Sequence, residues 1–512
     1  MLNYNPMKNI KIFGLVSSLV LLASCQEEFL ETYPTASLSQ EQVSAAVAVN
    51  PDAAKGTLLG IYQQLYARGS GGTTAQEDFG VHLQHMNLDI LSQDMAHLGK
   101  SYNRQRSISE MTTTLNPDDS FNYMPWRFLY RIINLSNLVI DGLGGDQAEL
   151  TTNVQKHTMG QALAARGWAY FYLNHLFVND ISNLTGPSVP IYTASDQLEQ
   201  PKSTVGEVFN QAVADLEKAE VLLDGFVRSD KIEFNQDVVR GVLAYTYGAL
   251  NNWTKTYEYA NKVVNAGYGK MSPAEITVLG PDDTVGGFND VNAHQAIMWG
   301  VTVTSSQELA SLFTWWGFID VWSYSYAAVG NHKGMDAGLY SKFRADDIRK
   351  TQFPFAGKSL GYVPAYKFYN TTAQAKGWRT FSGPQVNVDS DAHYMRSDEF
   401  HLLKAEAAAE LGDEATAKTT LKNYLSDRIT DVSYIDALSG AALQEEISVQ
   451  TRLELFGEGK SYFLMKRQRQ SRTRGANWLD YKGETFSHND ERLTYELPTN
   501  ELLFNPNITD QN

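Results

Sequence analysis

From Thr204 to Asp224 the residues Val205, Val208, Phe209, Ala212, Val213, Leu216, Ala219, Leu222 and Leu223 recur at spacings of three and one. That period gathers an apolar stripe on one face of a helix and demands a second surface to cover it. Thr204 with Glu207 makes a capping box at the start, and Asp224-Gly225 supplies the stop. The pattern returns along the chain. Asn235 can cap a helix through Leu250, Asn251-Asn252 makes a turn, and Thr254 is expected to cap a further helix to about residue 265. There Val242, Tyr245, Ala249, Trp253, Tyr257, Ala260 and Val264 hold the aromatic and small positions of a tetratricopeptide-like hairpin. A third pair is expected over 397–411 and 413–428, with Gly412 at the turn and Ala407, Ala417, Leu421 and Tyr424 facing inward. Residues 42–66, 124–143 and 158–177 also read as helices, the last with Trp168, Phe171 and Tyr172 crowding one face. A chain so patterned is mainly α, and the spacing predicts about four tetratricopeptide-like hairpins forming a scaffold in one globule.

The stretches 67–120, 178–200, 270–395 and 469–500 show no clear period and hold most of the Gly, Pro, Asn and Asp. Segments this long in a folded chain carry function or local structure of their own. Residues 270–395 are too rich in Trp, Phe and Tyr to stay uncovered, so they are expected to form a large irregular, loop-rich subdomain laid over the scaffold.

Charge narrows the function. The formal net charge is −16, which argues against nucleic acid and against docking on anionic lipid; neutral ligands suit such a surface best. The single cysteine, Cys25, permits no intramolecular disulfide. Before it stand a basic start (Lys8, Lys11), an apolar run from Ile12 to Leu22, and Leu22-Ala23-Ser24-Cys25. The run is about half a membrane span and has the tripartite form of a secretory signal over 1–24. The small pair before Cys25 resembles the lipobox of lipoprotein signal peptidase, making Cys25 the expected lipid-attachment residue. Gln26, Glu27 and Glu28 resemble an acidic tag that sends lipoproteins to the outer face. Residues 25–40, with Pro34, read as a tether, so membrane contact is expected through the lipid alone.

Cys25-Gln-Glu-Glu-Phe-Leu-Glu-Thr-Tyr-Pro34 is similar to the lipidated opening of SusD-like proteins. Ala164-Ala-Arg-Gly-Trp-Ala-Tyr-Phe-Tyr-Leu173, running on to Pro190, resembles their aromatic helix and the loop after it. Ser397 to Arg428 looks like their late helix pair, and Ile447 to Arg467, with Arg452-Leu-Glu-Leu-Phe-Gly-Glu-Gly459, like their C-terminal signature. Leu497-Pro-Thr-Asn-Glu-Leu-Leu-Phe-Asn-Pro506 looks like the closing segment. One departure is Lys460-Ser461-Tyr462-Phe463 followed by Leu464-Met465, where many members carry an Arg-Trp or Arg-Phe step and then Asp. The chain thus resembles the SusD/RagB family of outer-membrane nutrient-binding lipoproteins. The resemblance implies one SusD-like domain over 41–512, with a helical scaffold at about 41–270 and 396–468 and an irregular ligand-binding subdomain at about 270–395. It also implies a lipid-anchored protein on the cell surface at the outer membrane. Its expected partners are a SusC-like TonB-dependent transporter and an oligosaccharide or polysaccharide ligand, or peptides in a minority branch.

Enzyme and cofactor signatures are weak. Gly69-Ser-Gly-Gly-Thr-Thr74 lacks the Gly-Lys-Ser/Thr of a phosphate cradle. His82 and His85 lie three apart without a third ligand and are expected to face solvent. Asp389-Ser-Asp391-Ala-His393 lacks the glycine and closing Glu of a calcium loop and is expected to be a turn. No cofactor, metal or catalytic residue is expected, although the carboxylates leave a secreted helical glycosidase as the alternative class. The sharper feature is aromatic: Phe313, Trp315, Trp316, Phe318, Trp322, Tyr324 and Tyr326 are interleaved with Asp320, Ser323 and Ser325. Sugar rings stack on aromatic planes while nearby polar groups replace water at the hydroxyls. Adjacent tryptophans in an extended segment point opposite ways, so one of Trp315 and Trp316 is expected at the surface. The family's architecture implies contact between window 313–326 and loop 94–104, which carries Asp94, His97, Tyr102, Asn103 and Arg104. The expected site has Trp316 and Trp322 as platforms, Trp315 and Tyr324 beside them, and Asp320 and Asn103 as hydroxyl partners; Tyr102 and Asp94 complete it.

Overall fold

The Glu207 N–H donates to Thr204 Oγ1 and the Thr204 N–H donates to the Glu207 carboxylate, so the capping box sets the start of a helix at Val205. Starts of this kind order the computed structural model, which describes residues 54–276, 288–304, 307, 315–358, 360–369 and 390–512. Its main helices are α1 (Ala54–Tyr66), α2 (Val81–Leu91), α3 (Ser120–Gly142), α4 (Asn153–Leu176), α5 (Val205–Leu222) and α6 (Gln236–Ala249). There follow α7 (Trp253–Val264), α8 (Trp315–Ile319), α9 (Asp398–Glu410), α10 (Glu414–Leu425), α11 (Ala441–Glu454) and α12 (Ser461–Arg467). The chain is mainly helical with short strands. The cap of α7 is Asn252, whose side chain accepts from the Lys255 N–H, and not the expected Thr254. Helix α4 starts before the expected 158 because Thr152 and Gln155 form a second capping box. Residues 42–53 of the first expected helix lie outside the described residues.

The helices pack serially: α1 on α3, α3 on α4, α4 on α5, α5 on α6, α6 on α7, α7 on α9, and α9 on both α10 and α11. At Gly167 a Cβ would sit 2.8 Å from Leu216 and 3.0 Å from the Ala212 carbonyl, so glycine lets α4 and α5 close. Ala407, Ala417, Leu421 and Tyr424 are all fully buried, the last three in one apolar cluster with Leu402, Ala405 and Ala408 of α9. No helix of the described residues is long and apolar enough to cross a membrane.

Short antiparallel ladders tie the irregular segments to this array. Strand β1 (Met95–His97) pairs with β5 (Lys333–Met335), and β4 (Ile297–Val301) pairs with β6 (Ala392–Arg396), which runs into α9. Strands β2 (Pro187–Pro190) and β3 (Lys202–Thr204) pair, as do β7 (Ser471–Thr473) and β8 (Thr485–Ser487). A buried charge network does the rest. Glu454 meets Arg349 (3.1 Å), Arg396 (3.0 Å) and Arg428 (3.1 Å), while Glu458 meets Arg396 (2.8 Å), Lys367 (2.7 Å) and His393 (2.9 Å). Burial alone would push both carboxyls up, but the surrounding cations outweigh it and hold them well below the usual carboxylate range.

Two expectations about histidines and carboxylates change. His82 and His85 do not face solvent, because α2 buries all 11 of its residues. His82 hydrogen-bonds the His393 carbonyl and His85 the Tyr172 hydroxyl; burial, with the charge of His393, pushes the His82 imidazole down to about 3. Asp391 accepts from the backbone N–H groups of Val291 (3.0 Å) and Val303 (2.9 Å), and burial pushes its carboxyl up to about 6. Asp389 lies outside the described residues. Among the described residues no group of three His, Cys, Asp or Glu is placed to hold a metal ion.

Candidate functional site

The β1–β5 ladder pairs Met95 with Met335 and His97 with Lys333, which lays the chain after β1 against the chain before β5. The Leu98 N–H donates to the His332 carbonyl (3.1 Å) and the Ser101 N–H to that of Gly330 (3.2 Å). The approach is so close that a Cβ on Gly99 would lie 2.0 Å from the Gly330 oxygen. Beyond it Tyr102, Asn103 and Gln105 take left-handed backbone, with φ of 61°, 49° and 55°. Such conformations cost L-residues energy and persist only where the surroundings impose them. The turn lifts the Tyr102 ring into solvent at 64% exposure.

The exposed ring is not alone. Tyr102 meets Tyr326 edge-on, with centroids 5.3 Å apart, and the Arg104 guanidinium lies 4.9 Å from the Tyr326 centroid. Beneath, Tyr326 packs on Phe318 at 5.4 Å. Arg104 donates to Glu77 Oε1 (2.9 Å) and Gln76 Oε1 (2.7 Å), and the Tyr326 hydroxyl also donates to Gln76 Oε1. Glu77 is buried and Arg104 half-buried. The result is an exposed aromatic corner edged by a guanidinium and an amide, with Asn103 exposed beside Tyr102. Tyr324, 39% exposed, lies on the same loop. Loop 94–104 and the aromatic window therefore do meet.

Several residues expected in the site have other work. Trp315 and Trp316 both lie on α8, not on an extended segment, and both are buried. Trp315 packs against His82 (5.1 Å) and Phe368 (5.4 Å), so neither tryptophan of the pair points out. Asp320 is fully buried and its oxygens accept from the Trp322 N–H (3.0 Å) and the Ser323 N–H (2.9 Å), closing a turn. Asp94 is fully buried between Arg452 (2.6 Å) and Arg472 (3.3 Å). Burial raises its pKa, but the two guanidiniums hold the carboxyl below its ordinary value. Trp322 is half-buried; its indole N–H donates to the Ala365 carbonyl (2.7 Å) and its ring stacks on Tyr366 at 5.7 Å and 7°. Phe313 and Cys25 lie outside the described residues, as do Gln26, Glu27 and Glu28. Sequence reasoning underrated Arg104 and Tyr326, although both stood on the segments expected to meet. A guanidinium directly after a Tyr-Asn pair, in a stretch with no apolar period, was the available signal.

A family described as "Starch-binding associating with outer membrane" matches residues 69–247, and the SusD family matches residues 351–508. A SusD-like protein of Formosa agariphila is 28% identical over 265 residues, which are 51% of this chain and 45% of that relative. The match thus spans less than half the length of that curated relative. The crystal structure of a SusD-like carbohydrate binding protein from Bacteroides vulgatus aligns with a TM-score of 0.72 at 23% identity, over 89% of this chain and 96% of that one. Surface glycan-binding protein A from Bacteroides uniformis aligns with a TM-score of 0.63 at 18% identity, over 90% of this chain and 99% of that one. The helical array and its loops have the SusD-like fold, and the two family matches fall on opposite sides of the aromatic window; the chain belongs to the SusD/RagB family.

Proposed function

We propose that this protein is a lipid-anchored, cell-surface glycan-binding lipoprotein that captures oligosaccharides and hands them to a SusC-like TonB-dependent outer-membrane transporter. The observation that carries the reading is the Tyr102–Tyr326 corner, with Arg104 and Gln76 at its edge, held by left-handed backbone. An exposed ring fixed edge-on to a second ring offers a sugar a flat apolar face, and neighbouring donors take its hydroxyls. Asn103 and Tyr324, both exposed, extend the contact surface. The role is binding and not catalysis. The carboxylate of the corner, Glu77, is ion-paired with Arg104 at 2.9 Å, whereas glycoside hydrolysis works with a pair of carboxylates flanking the bond. Cys25 is the proposed lipid-attachment residue, with Glu27 and Glu28 directing the protein to the cell surface.

A binding screen of the purified protein against oligosaccharides and peptides tests the ligand class. Calorimetry on Tyr102→Ala with the best glycan then tests the site. Losing one stacking ring at a shallow site removes roughly 1–2 kcal/mol, about a five- to thirty-fold weaker Kd. Selection of peptides over all glycans, or unchanged affinity in Tyr102→Ala and Tyr326→Ala alike, overturns the proposal.

A further inference from the structure

A cavity of about 360 Å³ opens against α3. Its inner wall is aromatic. Trp126 and Tyr130 lie 4.6 Å apart, and Tyr192 stands at 86° to Tyr130 with centroids at 5.8 Å. The rings are fixed from behind. Tyr130 donates to the Pro190 carbonyl (2.8 Å), Asn137 donates to the Tyr192 carbonyl (3.1 Å), and the Gln200 N–H donates to the Tyr192 hydroxyl (3.2 Å). Tyr123, Tyr130 and Tyr192 remain half-exposed, so their faces meet the cavity.

Arg127 and Arg131 line the same cavity, four residues apart on one face of α3. Like charges at that spacing repel by a few tenths of a kcal/mol, about the scale of a favourable pair. Among the described residues neither guanidinium forms an ion pair, in a chain of net charge −16. Each touches carbonyls of the glycine loop through one nitrogen: Arg127 to Gly72 at 3.4 Å, and Arg131 to Ser70 at 3.0 Å and Gly69 at 3.3 Å. Glu501 lines the cavity too. Burial first, and then neighbouring charges that include Glu501, push the Tyr130 and Tyr192 hydroxyls up. The cavity therefore presents aromatic rings with two guanidiniums among them and one carboxylate. A neutral sugar has no need of two adjacent guanidiniums, whereas a carboxylate or sulfate group takes both through charge-assisted hydrogen bonds.

We infer that the α3 cavity is a second glycan-binding site that takes an acidic sugar, its ring against Tyr130 and Tyr192 and its carboxylate or sulfate group on Arg127 and Arg131. The loop those arginines touch also supplies Gln76 and Glu77 to the Tyr102–Tyr326 corner. One extended glycan can engage both places, yet the inference does not depend on the corner, since it needs neither Tyr102 nor Tyr326.

The test is calorimetry with three probes of equal length: an oligogalacturonide, a sulfated galactan oligosaccharide and a neutral galactan oligosaccharide. The expected result is preference for one or both acidic probes, weakened by added salt. Arg127→Gln with Arg131→Gln should weaken acidic binding about tenfold or more, the scale of a lost charge-assisted hydrogen bond. Tyr102→Ala should leave that preference in place. The carboxylate and sulfate arms distinguish the two sources of the anion. Melting temperature guards the reading, and the single Arg127→Gln, at an exposed position, serves if the double variant is unstable. Equal affinity for acidic and neutral probes, no acidic binding at all, or acidic binding kept in the arginine variants overturns the inference.

Discussion

Two regions of this molecule use the same residue types for opposite ends. Around Glu454 and Glu458, arginine, lysine and carboxylate are sealed together with aromatic neighbours such as Phe288 and Phe368. Around Tyr102 and Tyr326 the rings and an arginine side chain that is 26% exposed reach the surface, over the buried carboxylate of Glu77. The difference is water. A buried charge stripped of its partner has nothing to replace it, whereas solvent reaches a partly exposed guanidinium such as that of Arg104. Chemistry alone therefore does not say which Arg–Glu–aromatic cluster locks the fold and which meets a ligand; burial does.

The contrast is sharpest in Glu458→Ala, which leaves Arg396, Lys367 and His393 without their shared carboxylate. Denaturant unfolding should show a loss of about 3–5 kcal/mol. Loss below 1 kcal/mol would mean that the network is not what binds the irregular segments to the helices. Trp316→Ala should cost about as much, roughly 3–5 kcal/mol, for a fully packed indole, while glycan affinity at the corner stays unchanged. A clear affinity loss at unchanged stability would move Trp316 back into the site.

Acid separates the core in another way. The folded pKa values of Glu454 and Glu458 lie well below their ordinary 4.5, so their contribution is fully present above 4.5 and is lost progressively as pH falls from there through the folded values. The His82 imidazole, held at about 3 against an ordinary 6.5, stays neutral when folded, so the unfolded chain binds the extra proton as pH falls from 6.5 towards 3. Asp391, raised to about 6, works the other way between 3.8 and 6. His175, which burial also holds at about 3, acts with His82, so the two histidines outweigh Asp391 above pH 4.5 and the two glutamates add to them below it; melting temperature should fall from pH 6.5 to pH 3. A flat profile would contradict the buried, neutral His82.

Gly99→Ala probes the hinge between the regions. The added Cβ would meet the Gly330 oxygen at 2.0 Å, which forces the loop away from its partner. Overpacking of this kind costs about 1–3 kcal/mol, and affinity should fall with it because Tyr102 moves. Tyr102→Ala gives the smallest change in stability, within about 0.5 kcal/mol as for an exposed side chain, set against the five- to thirty-fold affinity loss of about 1–2 kcal/mol. Unfolding curves and titrations on the same preparations check both.

Much of the helical array was legible because its signals are local. Thr204 and Glu207 are three apart, Gly412 takes φ +78° between α9 and α10, and the apolar stripe of α5 shows its period directly. The fate of the aromatic window was not local. Helix α8 has five residues, too few to show a period, so Trp315 and Trp316 read as extended when both are packed. Asp320 could have been read as a turn former from its spacing to Trp322 and Ser323. Asp94 could not, because its partner Arg452 lies 358 residues away. Helix α2 misled for a similar reason: His82, His85 and Asn87 look like a polar face, yet they bond to His393, Tyr172 and Tyr495 from distant segments. The meeting of loop 94–104 with the aromatic window came from the resemblance, and which side chains stayed exposed there was set by left-handed backbone that composition does not reveal.

The proposed ligand contact is the exposed Tyr102–Tyr326 corner and not the buried Trp315, Trp316 and Asp320. A crystal structure of the protein with the best oligosaccharide from the screen tests it most directly. A sugar ring should lie against the exposed face of Tyr102 or Tyr326, with hydroxyls within hydrogen-bond reach of Arg104, Gln76 or Asn103. A bound glycan that touches none of these residues contradicts it.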